Sequence, residues 1–144
     1  MSDRTDDVAH RLPVRVYYED TDAGGIVYHA NYLKFAERGR TEFLRRAGYE
    51  HRALMGDLGA GFAVRRCAIE FLKPALLDDM LEVETRVAAV GGASVDMLQT
   101  IRRDGTTVAT IDIQVVLIDR AGRPKRLPRE MAAAVGRHGT TARS

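Results

Sequence analysis

The residues best suited to chemistry lie in one ten-residue run, Asp20-Thr21-Asp22-Ala23-Gly24-Gly25-Ile26-Val27-Tyr28-His29. Apolar residues at helical spacing begin just after it, so the run ends at a helix N-terminus. Backbone N–H groups there lack partners and carry partial positive charge. An oxyanion forming beside such an end is stabilised. Asp22 is close in sequence to that end, and a carboxylate facing an N-terminal N–H could attack a carbonyl that the N–H polarises. Gly24 and Gly25 let the chain turn sharply and let a ligand approach the backbone. His29 is a titratable group at the helix start, able to orient a water or bond a substrate. Tyr18 faces the same neighbourhood if the strand before it leads directly into the turn. The competing reading is structural: Asp is common in turns, and Asp20 and Asp22 would sit in one without any chemistry. The pair is not a metal motif, because no EF-hand loop follows. The chain also contains no GxSxG, P-loop, CxxC or HExxH signature.

The elements that must position these residues follow from periodicity. Val14, Val16 and Tyr18 alternate with Arg15, Tyr17 and Glu19, which predicts a strand. From about Ala30 to Arg46, Tyr32, Phe35, Ala36, Gly39, Phe43, Leu44 and Ala47 recur at three- and four-residue spacings. They predict one long amphipathic helix, capped by Asn31 and stopped at Gly48. A short helical turn is expected at His51 to Met55. Strands are expected at Phe62 to Leu72, Met80 to Val90, Ser94 to Arg103 and Val108 to Ile118, with Asp104-Gly105 as a hairpin turn. A last helix is expected from Arg129 to Val135. One long helix and a meander of long strands predict an α+β fold, an antiparallel sheet wrapped around that helix. Such a sheet leaves an open edge, which favours pairing with a second copy.

Composition bounds the function. The chain has 144 residues, 45% hydrophobic and 29% charged, which is one ordinary globular domain. Residues 1–11 read as a loose arm, 12–137 as the domain and 138–144 as a tail. The formal net charge of +2 is too small to argue for nucleic acid. The single cysteine, Cys67, permits no intrachain disulfide and fits a reducing compartment. The polar first ten residues carry no secretory apolar core, and no apolar run approaches the ~20 residues of a membrane span. The expectation is a soluble cytoplasmic protein.

The run Tyr18 to Tyr32, YEDTDAGGIVYHANY, resembles the signature of the 4-hydroxybenzoyl-CoA thioesterase family. More narrowly it resembles the branch found beside Tol–Pal cell-envelope genes. The likeness continues through Glu37 to Glu42, Ile69 to Ala75 and Arg126 to Pro128, and covers about Leu12 to Pro128. The resemblance implies a hot-dog fold and hydrolysis of acyl-CoA thioesters, with no metal and no dissociable cofactor, by dimers or tetramers built from dimers. It implies Asp22 as the catalytic acid and the His29 N–H as the group that polarises the carbonyl. The His29 and Tyr18 side chains match positions that assist. Some relatives hold the CoA phosphates with a basic cluster at the turn that here reads Val90-Gly91-Gly92-Ala93, with no basic residue. Lys73, Arg123, Lys125 and Arg126 are then the phosphate candidates, from the same or a neighbouring subunit, against the plainer reading that they are ordinary solvated charges.

Cys67, in mid-strand, is expected in the core rather than as a nucleophile. Glu37 is expected in a structural salt bridge on the helix. Two alternatives remain: acyl carrier protein in place of CoA as the carrier, or a non-catalytic acyl-binding or scaffold protein linked to envelope lipid machinery.

Overall fold

A computed structural model describes residues 9–50, 54, 56 and 59–137. The predicted turn at His51 to Met55 lies mostly outside the described residues.

Five strands form one antiparallel sheet in the order β1-β3-β4-β5-β2. They are β1 (His10–Arg15), β2 (Ala60–Phe71), β3 (Met80–Val90), β4 (Ser94–Arg103) and β5 (Thr106–Asp119). The β4–β5 hairpin turns on Asp104 and Gly105, both at positive φ, as an Asp-Gly turn requires. The first strand begins and ends earlier than its alternation predicts. Pairing with β3 starts at His10 and stops at Arg15, and the chain then tightens into a turn at Tyr18–Asp20.

The long helix α1 (His29–Arg46) lies against this sheet, packing chiefly on β3 and β1. Tyr32, Phe35, Ala36, Gly39 and Phe43 of the predicted stripe are buried, and Phe35 and Phe43 are essentially inaccessible. Phe35 and Phe43 each contribute about 1.5–3 kcal/mol on burial. The helix stops where expected: Gly48 and Tyr49 donate back to the Arg45 and Leu44 carbonyls at 3.0 and 2.8 Å. The approach of helix to sheet is closest at Gly39. A Cβ there would meet Val83 Cγ1 at 2.7 Å and the Gln99 and Thr85 side chains at 3.1 Å. Gln99, wholly buried, uses the space to donate to the Ala36 carbonyl (2.9 Å) and Thr85 Oγ1 (2.9 Å), and it accepts from Arg40 (3.1 Å). A second helix, α2 (Arg129–Arg137), packs on β3 and buries Met131, Ala134 and Val135.

The two sheet edges differ. On β1, Arg11 joins Arg86 and Arg102 around the buried Glu84 carboxylate at 3.1, 3.4 and 3.0 Å, tying the edge to β3 and β4. On β2, every residue from Val64 to Ala68 is exposed, on both faces of the strand. Cys67 is therefore not a core residue as expected. It sits on this outermost strand, beyond the main contact of α1, and its side chain is exposed.

Candidate active site

The acidic turn is a small hairpin. Thr21 and Val27 bridge antiparallel. The Asp22 N–H donates to Ile26 O at 2.9 Å, and the Gly25 N–H to Asp22 O at 3.0 Å. Gly25, at φ +81°, supplies the left-handed residue that closes this loop type. The Asp22 Oδ1 accepts the Gly24 N–H at 2.9 Å, so the structural reading of Asp22 as a turn residue holds for one oxygen. The residue as a whole is exposed.

The two aspartates have separate duties. Asp20 is buried. Its Oδ2 accepts the Tyr17 N–H at 2.8 Å, and its carbonyl accepts the Tyr28 N–H (3.0 Å) and Asn31 Nδ2 (2.8 Å). Asp20 thus welds the turn to the start of α1, which leaves Asp22 as the carboxylate facing outward.

Asn31 does not cap the helix. It lies inside the first turn, and its side chain is spent on Asp20. The residue preceding the helix is Tyr28, extended at φ −66° and ψ 136°, with no side-chain cap, and the first turn carries no acidic residue. His29, the first helical residue, therefore presents an N–H of the unsatisfied kind at the positive end of a helix of 18 residues.

Asp22 and His29 line one surface depression of about 400 Å³, together with Ile26, Val27, Tyr28, Tyr32, Phe71, Leu72, Lys73 and Pro74. Aromatic rings build its wall. The Phe71 ring lies edge-on to His29 at 6.2 Å and to Tyr32 at 5.3 Å, and the Tyr28 and His29 rings are 4.4 Å apart. Burial raises the Tyr32 phenol above its usual range, partly offset by the Ala75 N–H bonded to its oxygen and by Arg103. Asp79, behind the depression, is held below the usual carboxylate range: burial pushes it up, but the Leu76 N–H and the Arg103 guanidinium outweigh that.

Of the residues singled out from sequence, Asp22, His29 and Lys73 come together, and Gly24 and Gly25 form the turn that presents Asp22. Tyr18 does not join them; its side chain is 82% exposed and lies outside the depression. Lys125 and Arg126 are far away in the same chain. Lys73 bonds β5 at Val108 and Lys125 bonds it at Leu117, and nine strand residues span roughly 30 Å. Arg126 instead reaches the glycine turn that has no basic residue of its own: its Nη1 is 3.7 Å from where a Cβ on Gly92 would be. Glu37 is exposed and makes no close ion pair among the described residues; Arg40, its neighbour one turn on, bonds Gln99 and feels the Glu37 charge at longer range. Nothing in the sequence spacing marks Tyr28, Tyr32 or Phe71 as site residues. Phe71 reaches the depression only through the pairing of β2 in the sheet, which has no local signal.

Among the described residues, no group of His, Cys, Asp and Glu side chains could hold a metal ion, and no helix is long and apolar enough to cross a membrane.

Residues 16–135 match the thioesterase-like superfamily. The chain is 45% identical over 125 residues to the acyl-CoA thioester hydrolase YbgC of Escherichia coli, covering 85% of this chain and 92% of that protein. A crystal structure of a probable thioesterase from Bartonella henselae superposes with a TM-score of 0.81 at 41% identity, covering 83% of this chain and 99% of the other. A 4-hydroxybenzoyl-CoA thioesterase variant, crystallised with 4-hydroxybenzoyl-CoA, shares the fold with a TM-score of 0.84 at 20% identity, over 89% of this chain and 99% of that one.

Proposed function

The chain belongs to the thioesterase-like superfamily, and we propose that it hydrolyses acyl-CoA thioesters to the free acid and CoA. The observation that carries this reading is the placement of Asp22 and the uncapped start of α1 in one depression. The thioester carbonyl oxygen is received by the His29 N–H, which stabilises the charge that develops on it. Asp22 then acts in one of two ways. It attacks the carbonyl carbon, expelling CoA thiolate and leaving a mixed anhydride that water hydrolyses; or it takes a proton from a water that attacks in its place. The leaving group needs no strong acid, because a thiol with pKa near 8.5 departs readily as thiolate. The His29 imidazole assists by orienting water or substrate, and the exposed Tyr28 and Phe71, backed by the buried Tyr32, receive the acyl group. Acyl carrier protein is the alternative carrier.

The second part of the proposal is a homodimer, alone or doubled into a tetramer. An isologous pairing of β2 with its copy would run the two strands antiparallel. The end bearing Phe71 and Lys73 would then lie beside the partner's Ala60 end, near which Lys125 and Arg126 sit. CoA phosphates would lie among Lys73 of one chain and the basic pair of the other. With an acyl-CoA substrate and a lone thiol, the proposed compartment is the cytoplasm.

The test is thiol release across short, long and aromatic acyl-CoAs. Asp22→Asn is expected to lower turnover about 10³-fold, equivalent to about 4 kcal/mol of transition-state stabilisation, with fold and assembly unchanged. Equal turnover by variant and wild type would remove Asp22 from the reaction. Tight acyl-CoA binding without thiol release would favour a binding protein.

A further inference from the structure

Behind the Asp22 hairpin runs a short strap, Pro74 to Asp79, and its hydrogen bonds point in two directions. Toward the hairpin, Val27 donates to Ala75 O at 2.8 Å, Leu77 donates to Gly25 O at 3.2 Å, and Ile26 bridges Leu76. Toward the body of the fold, Asp78 donates to Val16 O (3.0 Å), Val16 donates to Asp79 O (2.9 Å), and Arg15 reaches the Asp78 carbonyl (2.9 Å). Asp78 is held at φ +73°, a left-handed conformation that a non-glycine residue keeps only when its surroundings fix it.

Three further side chains key the strap. The Arg103 Nη1 donates to Asp79 Oδ2 at 2.8 Å and to the Pro74 carbonyl at 3.0 Å. Asp79 Oδ2 also accepts the Leu76 N–H at 2.8 Å. The buried Tyr32 hydroxyl accepts the Ala75 N–H at 3.0 Å. Tyr32 stands three residues after His29 on α1, on the same helix face. One side chain therefore registers both the helix start and the strap that carries the Asp22 loop.

We propose that Tyr32, Asp79 and Arg103 are positioning residues: acting through the Pro74–Asp79 strap, they hold the tip of the hairpin whose base Asp20 already ties to α1, and together with that tie they set the distance between the Asp22 carboxylate and the N-terminus of α1. What that distance accomplishes rests on the thioesterase reading above; the brace itself rests only on the bonds just described. The hairpin tip, Gly25 and Ile26, is tied to the body through Leu76 and Leu77. Loosening the strap loosens the tip, while Asp20 keeps the base of the hairpin on α1 and the sheet remains. A displacement of about 1 Å at a reacting group can cost 10²-fold in rate.

The experiment uses the full chain and the variants Arg103→Ala, Arg103→Lys and Tyr32→Phe, with steady-state kinetics on the best acyl-CoA and amide hydrogen exchange on each. For Arg103→Ala, kcat is expected to fall 10- to 100-fold with KM within about threefold. Arg103→Lys is expected to recover most of that loss. Exchange at the Val27 and Leu77 amides is expected to quicken at least tenfold, with Ile101 and Ile113 in the sheet unchanged. Tyr32→Phe, which removes one oxygen, is expected to move the same amides and carries the test if Arg103→Ala does not fold. Folded variants with wild-type kcat, or with no selective change at Val27 and Leu77, would overturn the brace. If the wild-type chain releases thiol from no acyl-CoA, the functional reading fails on its own. The exchange data then decide the brace alone: selective loosening upholds it, and none refutes it.

Discussion

The Asp22 carboxylate commits Oδ1 to the Gly24 N–H and so keeps one oxygen fixed while the residue stays exposed to an incoming ligand. Across the depression, the proposed oxyanion donor is a backbone group, which separates the two contributions of His29. His29→Ala deletes the imidazole and keeps the N–H. His29→Pro deletes the N–H, yet proline is well suited to the first helical position, and Tyr28 already has the extended backbone that a following proline demands. The expected outcome is a loss of about 10²–10³-fold in kcat/KM for His29→Pro, with the melting temperature little changed, and a smaller loss for His29→Ala. Equal losses in the two variants would assign the effect to the ring instead. Tyr32 supplies a pH-dependent signature. Its phenol pKa is raised in the folded state, so the native protein holds the proton more tightly than the unfolded chain. The stability this gives is full below about pH 10 and is lost as pH rises through the folded value. Denaturant titrations at increasing alkaline pH should show that loss in the wild type and a flatter limb in Tyr32→Phe.

Helix α1 works as a rigid post only because its contact with β3 is so close. Gly39 admits the Val83 methyl and the Gln99–Thr85 pair into the space of a missing side chain. Gly39→Val would gain a little helix propensity but must displace Val83 Cγ1. A net destabilisation of about 2–3 kcal/mol is expected from chemical denaturation. Because the N-terminal turn is fixed separately by Asp20 and Asn31, the folded fraction of that variant should retain turnover. The elements themselves were legible from periodicity: the helix stripe, the Gly48 stop, the Asp104-Gly105 hairpin and the limits of β3 and β4 all stand where patterning puts them. The departures have local physical causes. The first strand is released early because Tyr17 donates to Asp20 rather than to a neighbouring strand. Asn31 is not the cap because the helix begins two residues before it, at His29, and its amide bonds the Asp20 carbonyl.

The sheet has two edges with different defences. β1 is six residues long and contains Pro13, and both features discourage further strand addition. β2 is twelve residues long, has no proline, and is exposed on both faces over its central part, which is the expected condition of a strand awaiting a partner. Sedimentation should therefore report at least twice the 15.9 kDa chain mass. Val64→Asp, which places a charge on that strand, should shift the assembly toward monomer and lower kcat/KM with it, since the proposed phosphate contacts come from both copies. A wild-type monomer with full activity would refute both the pairing and the shared contacts.

Secondary structure and the position of Asp22 in a turn just before a helix start could be read along the chain because both depend on neighbours within a few residues: alternation, helical spacing, a turn, a helix start. The proposed roles of Asp22 and His29 came from the family resemblance. The long-range features came only with the packed fold. Cys67 faces outward because β2 is outermost in the sheet, a fact of strand order rather than of its own segment. Phe71 reaches the site, Arg126 lies against Gly92, and Tyr32 bonds Ala75 from 43 positions away. Each of these contacts is fixed by register between strands or by helix against sheet, and local propensity carries no information about which distant residues such packing brings together.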